Sequence, residues 1–231
     1  MRQFSDQHIA ALAVLVVGST VAVWAARHRP GRWQGVFAAL LAAVIFAGWA
    51  GEYVADAVLG VWSVKYTLPF QLTDAVSAVA IVALLTRRRL LVELTYFWAL
   101  TASLQATLTP DLAQSFPSIF YFTYFTYHVG AIVAALFLVF GWRLYPRSGA
   151  IWRVYAATLA WAGVAAVVDV ATGGNYMYLR AKPVHSSLLS VLGPWPWYIV
   201  ATAAVGLAML FVVGRITGAV RKSIDPRVLD V

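Results

Sequence analysis

Seven apolar runs follow one another along this chain: 9–26, 33–59, 65–85, 90–108, 117–140, 150–171 and 194–217. Each approaches or exceeds the roughly 20 residues that a helix needs to cross a bilayer. Only 11% of the 231 residues are charged and 62% are hydrophobic, where a soluble domain carries about 25% charged residues. The pattern predicts an all-α, polytopic membrane protein with seven transmembrane helices in one domain, 1–231. Residues 172–193 form an outer loop or re-entrant cap, and 218–231 a short basic tail. The first run is followed, not preceded, by its basic flank Arg27-His-Arg-Pro-Gly-Arg32. A signal peptide has the opposite order, so an uncleaved first helix is expected.

The net charge of +8 sits in short clusters between the runs, which argues for the positive-inside rule and against a nucleic-acid partner. With the N-terminus outside, thirteen Lys and Arg residues fall in the cytoplasmic segments, and only Arg2, Lys65, Arg180 and Lys182 fall outside. The C-terminus is then cytoplasmic and the membrane the plasma membrane. Proline is tolerated in a first helical turn because its missing N–H had no partner there. Pro69, Pro117 and Pro194 are expected to open their helices.

Polar side chains within such runs are expensive and normally face protein or a water-filled cavity. The most concentrated case is Leu68-Pro-Phe-Gln-Leu-Thr-Asp74, and the second is His128 at the end of Tyr121-Phe-Thr-Tyr-Phe-Thr-Tyr-His128. On helical geometry Thr73 lies roughly 6–13 Å, and His128 about 16 Å, below the outer end of its helix. Tyr121, Tyr124 and His128 share one face, Trp98, Thr101 and Gln105 another, and Glu52 and Asp56 stand one turn apart. The expectation is an outward-opening pocket under the cap, with Thr73 and His128 meeting across two helices. Each residue also has a plain structural role open to it. A membrane threonine often bonds its own i−4 carbonyl, tyrosines form interfacial belts, and Asn175 can tie down a loop.

Several chemistries find no residues here. There is no cysteine, hence no thiolate nucleophile and no disulfide. Three protein ligands for a catalytic zinc are not at hand when His8, His28 and His185 fall in flanks or loops, so no metal is expected, nor any other cofactor. The last run holds no lysine for a retinal, and no Gly-x-Ser-x-Gly elbow or phosphate loop occurs. Hydroxyl plus imidazole remains, a pairing in which histidine takes the proton that makes the hydroxyl nucleophilic.

Leu68-Pro-Phe-Gln-Leu-Thr-Asp74, Ala83-Leu-Leu-Thr-Arg-Arg-Arg-Leu90, Glu93-Leu-Thr-Tyr-Phe-Trp98, Leu104-Gln-Ala-Thr-Leu-Thr-Pro-Asp111, Tyr127-His128, Asn175-Tyr-Met-Tyr-Leu with Lys182-Pro183, and Gly193-Pro-Trp-Pro-Trp-Tyr198 together resemble the YwaF family of bacterial membrane proteins. That family is similar to a eukaryotic transmembrane acyltransferase that remodels ether phospholipids through a cysteine and a histidine. It is more distantly similar to the androgen-induced threonine hydrolases of fatty-acid esters. The resemblance puts Thr73 at the acyltransferase's cysteine and His128 at its histidine. Gln71 stands where the family often carries histidine, so no second base is implied there.

The resulting expectation is a lipid acyltransferase, transacylase or ester hydrolase acting on a membrane lipid or acylated lipid, with Thr73 as nucleophile and His128 as base. Gln105 or Asn175 would supply oxyanion donors, Arg180 and Lys182 would hold a headgroup, and Gln71, Asp74, Tyr124 and Tyr176 would complete the lining. Two alternatives stay open: a proton- or cation-coupled transporter using Glu52, Asp56, Asp74 and Asp169, and a non-catalytic scaffold. The sequence fixes no oligomeric state.

Overall fold

The computed structural model describes residues 1–183 and 188–225; His185 and the end of the basic tail lie outside them. The described residues form helices and connecting turns, with no strand among them. They make seven rods: α1 Asp6–His28, α2 Trp33–Val58, α3 Leu72–Thr86, α4 over 89–108, α5 Ile119–Gly141, α6 Ala150–Thr172 and α7 Trp197–Ile224. Rods α1, α2, α5, α6 and α7 are long and apolar enough to cross a membrane, while α3 is a shorter apolar helix of 15 residues.

The central rod is α5. Its apolar window is 89% buried, against at most 28% for the other four long rods. Those turn valines such as Val14, Val17, Val167, Val170, Val200 and Val212 outward, as a lipid solvent requires. Small residues set the closest approach. A methyl group at Gly48 of α2 would fall 2.8 Å from Thr126 Cγ2 and 3.1 Å from the Tyr127 backbone nitrogen on α5, and one at Gly130 would fall 2.7 Å from Ile45 Cγ1. Such contacts let helix backbones pack where no hydrophobic driving force is available. Gly48→Ala is expected to cost about 1–3 kcal/mol by overpacking, offset only in part by about 1 kcal/mol of helix propensity. Thermal unfolding in detergent measures this, and an unchanged midpoint would refute so tight a contact.

Hydrogen bonds define the two ends of the bundle. At one end His8, fully buried in the first turn of α1, accepts from Phe4 N through Nδ1 (2.9 Å) and donates from Nε2 to Thr107 O of α4 (2.8 Å). This histidine belongs to the helix packing, not to a flank as its sequence position implied. At the other end Arg27 of α1 bonds Asp225 beyond α7 (2.7 Å), which Tyr145 also reaches. The Arg27 guanidinium holds the Asp225 carboxyl below its ordinary range. Glu93 of α4 is gripped by Arg147 (2.8 Å) and Arg153 (3.0 Å). Twelve of the described Lys and Arg residues gather at this second end, leaving Arg2, Lys65, Arg180 and Lys182 at the first.

The structure moves three helix starts. α3 begins at Leu72, with Gln71 as its N-cap, and Asp74 Oδ2 accepts from Gln71 N (2.9 Å). This contact satisfies the N-cap's own N–H and fixes the helix start after the extended Gln71, so Pro69 stays in the preceding loop. Likewise Ser118 caps α5 after Pro117, and α7 starts only at Trp197. α7 also continues through 218–224, which the sequence had assigned to the tail. In α4, a π-helical turn at Ala99–Ser103 separates Arg89–Trp98 from Leu104–Leu108. Its wider turn shifts the register and splits the stripe Trp98, Thr101, Gln105. Trp98 Nε1 bonds Thr158 of α6 (2.8 Å), Thr101 bonds Phe97 O (2.7 Å), and Gln105 is exposed.

Candidate active site

Residues 68–74 are pinned from both sides. The Tyr176 hydroxyl accepts from Leu68 N (2.9 Å) and donates to Val64 O (2.7 Å), while Tyr176 N donates to Asp169 Oδ1 (2.6 Å). Met177 N donates to Gln71 Oε1 (2.9 Å). Phe70 lies between the rings of Trp161 and Tyr176, 5.9 and 5.8 Å away. The stretch after α6 therefore sits on this segment as a cap. On the α2 side, Trp49 Nε1 (2.9 Å) and the Tyr53 hydroxyl (2.6 Å) donate to Asp74 Oδ1. Asp74 thus takes three donors, and its carboxylate is spent on holding the start of α3 in place.

Thr73, at the second position of α3, lines a cavity of about 80 Å³ with Glu52, Asp56, Asp74, Gln71 and Tyr127. Its hydroxyl makes no hydrogen bond among the described residues, whereas Ser77, one turn on, bonds the Thr73 carbonyl (2.9 Å). Glu52 Oε2 is buried without a hydrogen-bond partner. The backbone N–H groups of Leu72 and Thr73 precede the first helical bond of α3 and have no partner among the described residues. That leaves two donors and the positive end of a helix beside the free hydroxyl.

His128 is buried (2% exposed), with its ring 4.2 Å from those of both Tyr124 and Tyr127. Its Nδ1 lies 2.9 Å from Tyr124 O. A carbonyl can only accept, so Nδ1 carries the proton and Nε2 keeps the lone pair. Nε2 has no hydrogen-bond partner among the described residues. α3 packs directly against α5, with no helix between them. The cavity wall on α5 is Tyr127, however; His128 stands behind that ring, and no hydrogen bond joins it to Thr73.

The other expected site residues are spread more widely. Tyr124 spends its hydroxyl on Ala106 O of α4 (2.9 Å), and Gln105 Nε2 bonds Thr109 (2.6 Å). Asn175 folds the cap on itself, accepting from Arg180 N and Ala181 N at 2.9 Å each. Arg180 Nη1 reaches Asp169 O (3.2 Å), and Lys182 sits 5.4 Å over the Tyr198 ring. Neither Gln105 nor Asn175 lines the Thr73 cavity. Trp49, Tyr53 and Tyr127 do line it without having been singled out as site residues. The signal for two of them was present: Trp49, Glu52, Tyr53 and Asp56 fall at i, i+3, i+4 and i+7, one helical face. Among the described residues no cluster of His, Asp and Glu could hold a metal ion.

The sequence model of the TMEM164 family matches residues 3–213. The chain belongs to the TMEM164 family. This is a family of membrane proteins related to ether-lipid acyltransferases, so the broader relationship holds while the narrower YwaF name is not the one that matches. No curated protein and no solved structure matches the chain. The match takes in every rod up to Val213 of α7, and with it all of the candidate site.

Proposed function

We propose that this TMEM164-family protein transfers or hydrolyses the acyl group of a membrane lipid ester at Thr73. The observation that carries the reading is a threonine hydroxyl without a hydrogen bond, facing a cavity at a helix N-terminus. Thr73 Oγ1 attacks the ester carbonyl carbon while His128 Nε2, reached once the Tyr127 ring that screens it from the cavity turns aside, takes its proton. The oxyanion is met by the N–H groups of Leu72 and Thr73, which replace Gln105 and Asn175 as donors. Collapse expels the lipid alcohol, which recovers the proton from His128. Water or a second hydroxyl, deprotonated in turn by His128, then releases the acyl group and restores Thr73. A cavity of about 80 Å³ holds a carbonyl and its substituents, so the acyl chain extends beyond it into lipid. The chain crosses the plasma membrane seven times, with the basic end in the cytoplasm and the N-terminus outside. The lopsided division of Lys and Arg between the two ends supports that orientation.

Glu52 is a second base within reach of the reading, because it lines the same cavity as Thr73 and has an unpartnered buried oxygen. A transport path through the outer carboxylates is less favoured, since Asp74 and Asp169 already accept protein donors.

A fluorophosphonate probe tests the proposal directly. It should form a covalent adduct that peptide mass spectrometry assigns to Thr73. No adduct, or an adduct on another residue, would overturn Thr73 as nucleophile.

A further inference from the structure

We propose that the basic end carries a second lipid site, built to take a phospholipid with a net-negative headgroup. Two clefts meet there across Pro146, Arg147 and Ser148. One, of about 310 Å³, is lined by Arg89, Arg143, Arg147 and Arg221. The other, of about 400 Å³, is walled by the apolar side chains of Phe97, Ile151, Trp152 and Phe211 between α4, α6 and α7. A cationic mouth continuous with an apolar groove matches a molecule that has a phosphate at one end and a hydrocarbon chain at the other.

The local charge balance leaves Arg89, Arg143 and Arg221 available, while Arg147 is engaged with Glu93. Among the described residues the carboxylates at this end are Glu93 and Asp225. Glu93 is occupied by Arg147 and Arg153, and Asp225 by Arg27 and Tyr145. Arg221 lies 4.9 Å over the Tyr145 ring with its Nε buried and without a hydrogen-bond partner. Arg89 makes one long contact, 3.4 Å to Tyr145 O. Arg143 is 57% exposed on its side chain and 3.8 Å from Asp225, and it holds φ +57°, a conformation usually left to glycine. Guanidinium groups in this arrangement present forked donors that fit phosphate oxygens two at a time, and basic pockets between membrane helices suit anionic headgroups. A free phosphate would use the arginines and leave the groove empty, which is why a lipid is the better occupant.

Native mass spectrometry of the full chain in detergent, with phosphatidylglycerol or phosphatidylcholine of the same acyl chains, tests this. Phosphatidylglycerol should bind about tenfold or more tightly, and Arg89→Gln with Arg221→Gln should erase the preference. Arg29→Gln, at the same end but outside both clefts, should leave it unchanged. Equal binding of the two lipids, or the same loss with Arg29→Gln, would overturn the site. Competition by glycerol phosphate as strong as that by the intact lipid would overturn a lipid occupant. If the double variant does not fold, a phosphatidylglycerol with a photoactivatable acyl chain decides on the unaltered protein. Cross-links to Ile151, Trp152 or Phe211 support the site, and cross-links confined to other residues refute it.

Discussion

Thr73→Ala is expected to lower lipid-ester turnover by about 10³-fold or more while leaving the melting temperature unchanged, since a nucleophile cannot be replaced by positioning alone. Stability should hold because the Thr73 hydroxyl makes no hydrogen bond that the fold would miss. Thr73→Ser should keep measurable activity, as it retains the hydroxyl at the same helix position. His128 is better replaced by glutamine than by alanine, which would open a void between the Tyr124 and Tyr127 rings, each 4.2 Å away. His128→Gln should match Thr73→Ala in lost turnover, and the pair together should be no worse than either alone, because residues that act as a unit are not additive. Glu52→Gln separates the two candidate bases. If it costs more than His128→Gln, the proton goes to the carboxylate that shares the cavity, and His128 serves the packing of α5. If Thr73→Ala retains full turnover, the chemistry lies elsewhere.

The rods were legible because apolar length is a local property, and the importance of residues 68–74 was legible because polar groups cluster there within an apolar chain. Partners were harder to read. Asp74 has the composition of a pocket carboxylate, and only the fold brings Trp49 and Tyr53 to it from a helix more than 20 residues earlier and turns it into a structural acceptor. Pro69, a sound first-turn residue by rule, suggests an earlier start for α3, while the contact between Gln71 and Asp74 that sets the true start is a three-residue detail. The face shared by Trp98, Thr101 and Gln105 assumed an unbroken α-helix, and no residue in Ala99–Ser103 announces a π turn. Asn175 followed the plain alternative that had been open to it, closing its own loop.

Asp74 gives the second large effect, on stability. Its carboxylate accepts from Trp49 Nε1 at 2.9 Å, the Tyr53 hydroxyl at 2.6 Å and Gln71 N at 2.9 Å, and the residue is 7% exposed. Asp74→Ala leaves three half-buried donors without their acceptor. At about 1–3 kcal/mol for each buried donor left unpaired, the expected loss is about 3–6 kcal/mol, since some donors recover a partner as the site relaxes. Asp74→Asn should fall between. Its carbonyl oxygen can still serve Trp49 and Tyr53, but its amide then faces the Gln71 N–H donor to donor, a loss of about 1–3 kcal/mol. The order of melting temperatures is therefore wild type above Asn above Ala. Probe labelling of Thr73 should fall in the same order even well below the melting transition, because the first turn of α3 that presents the hydroxyl loses its cap. A different pairing of results would reassign the residue. If Asp74→Ala melts like the wild type yet loses all labelling, the carboxylate touches the substrate rather than holding the helix that carries Thr73.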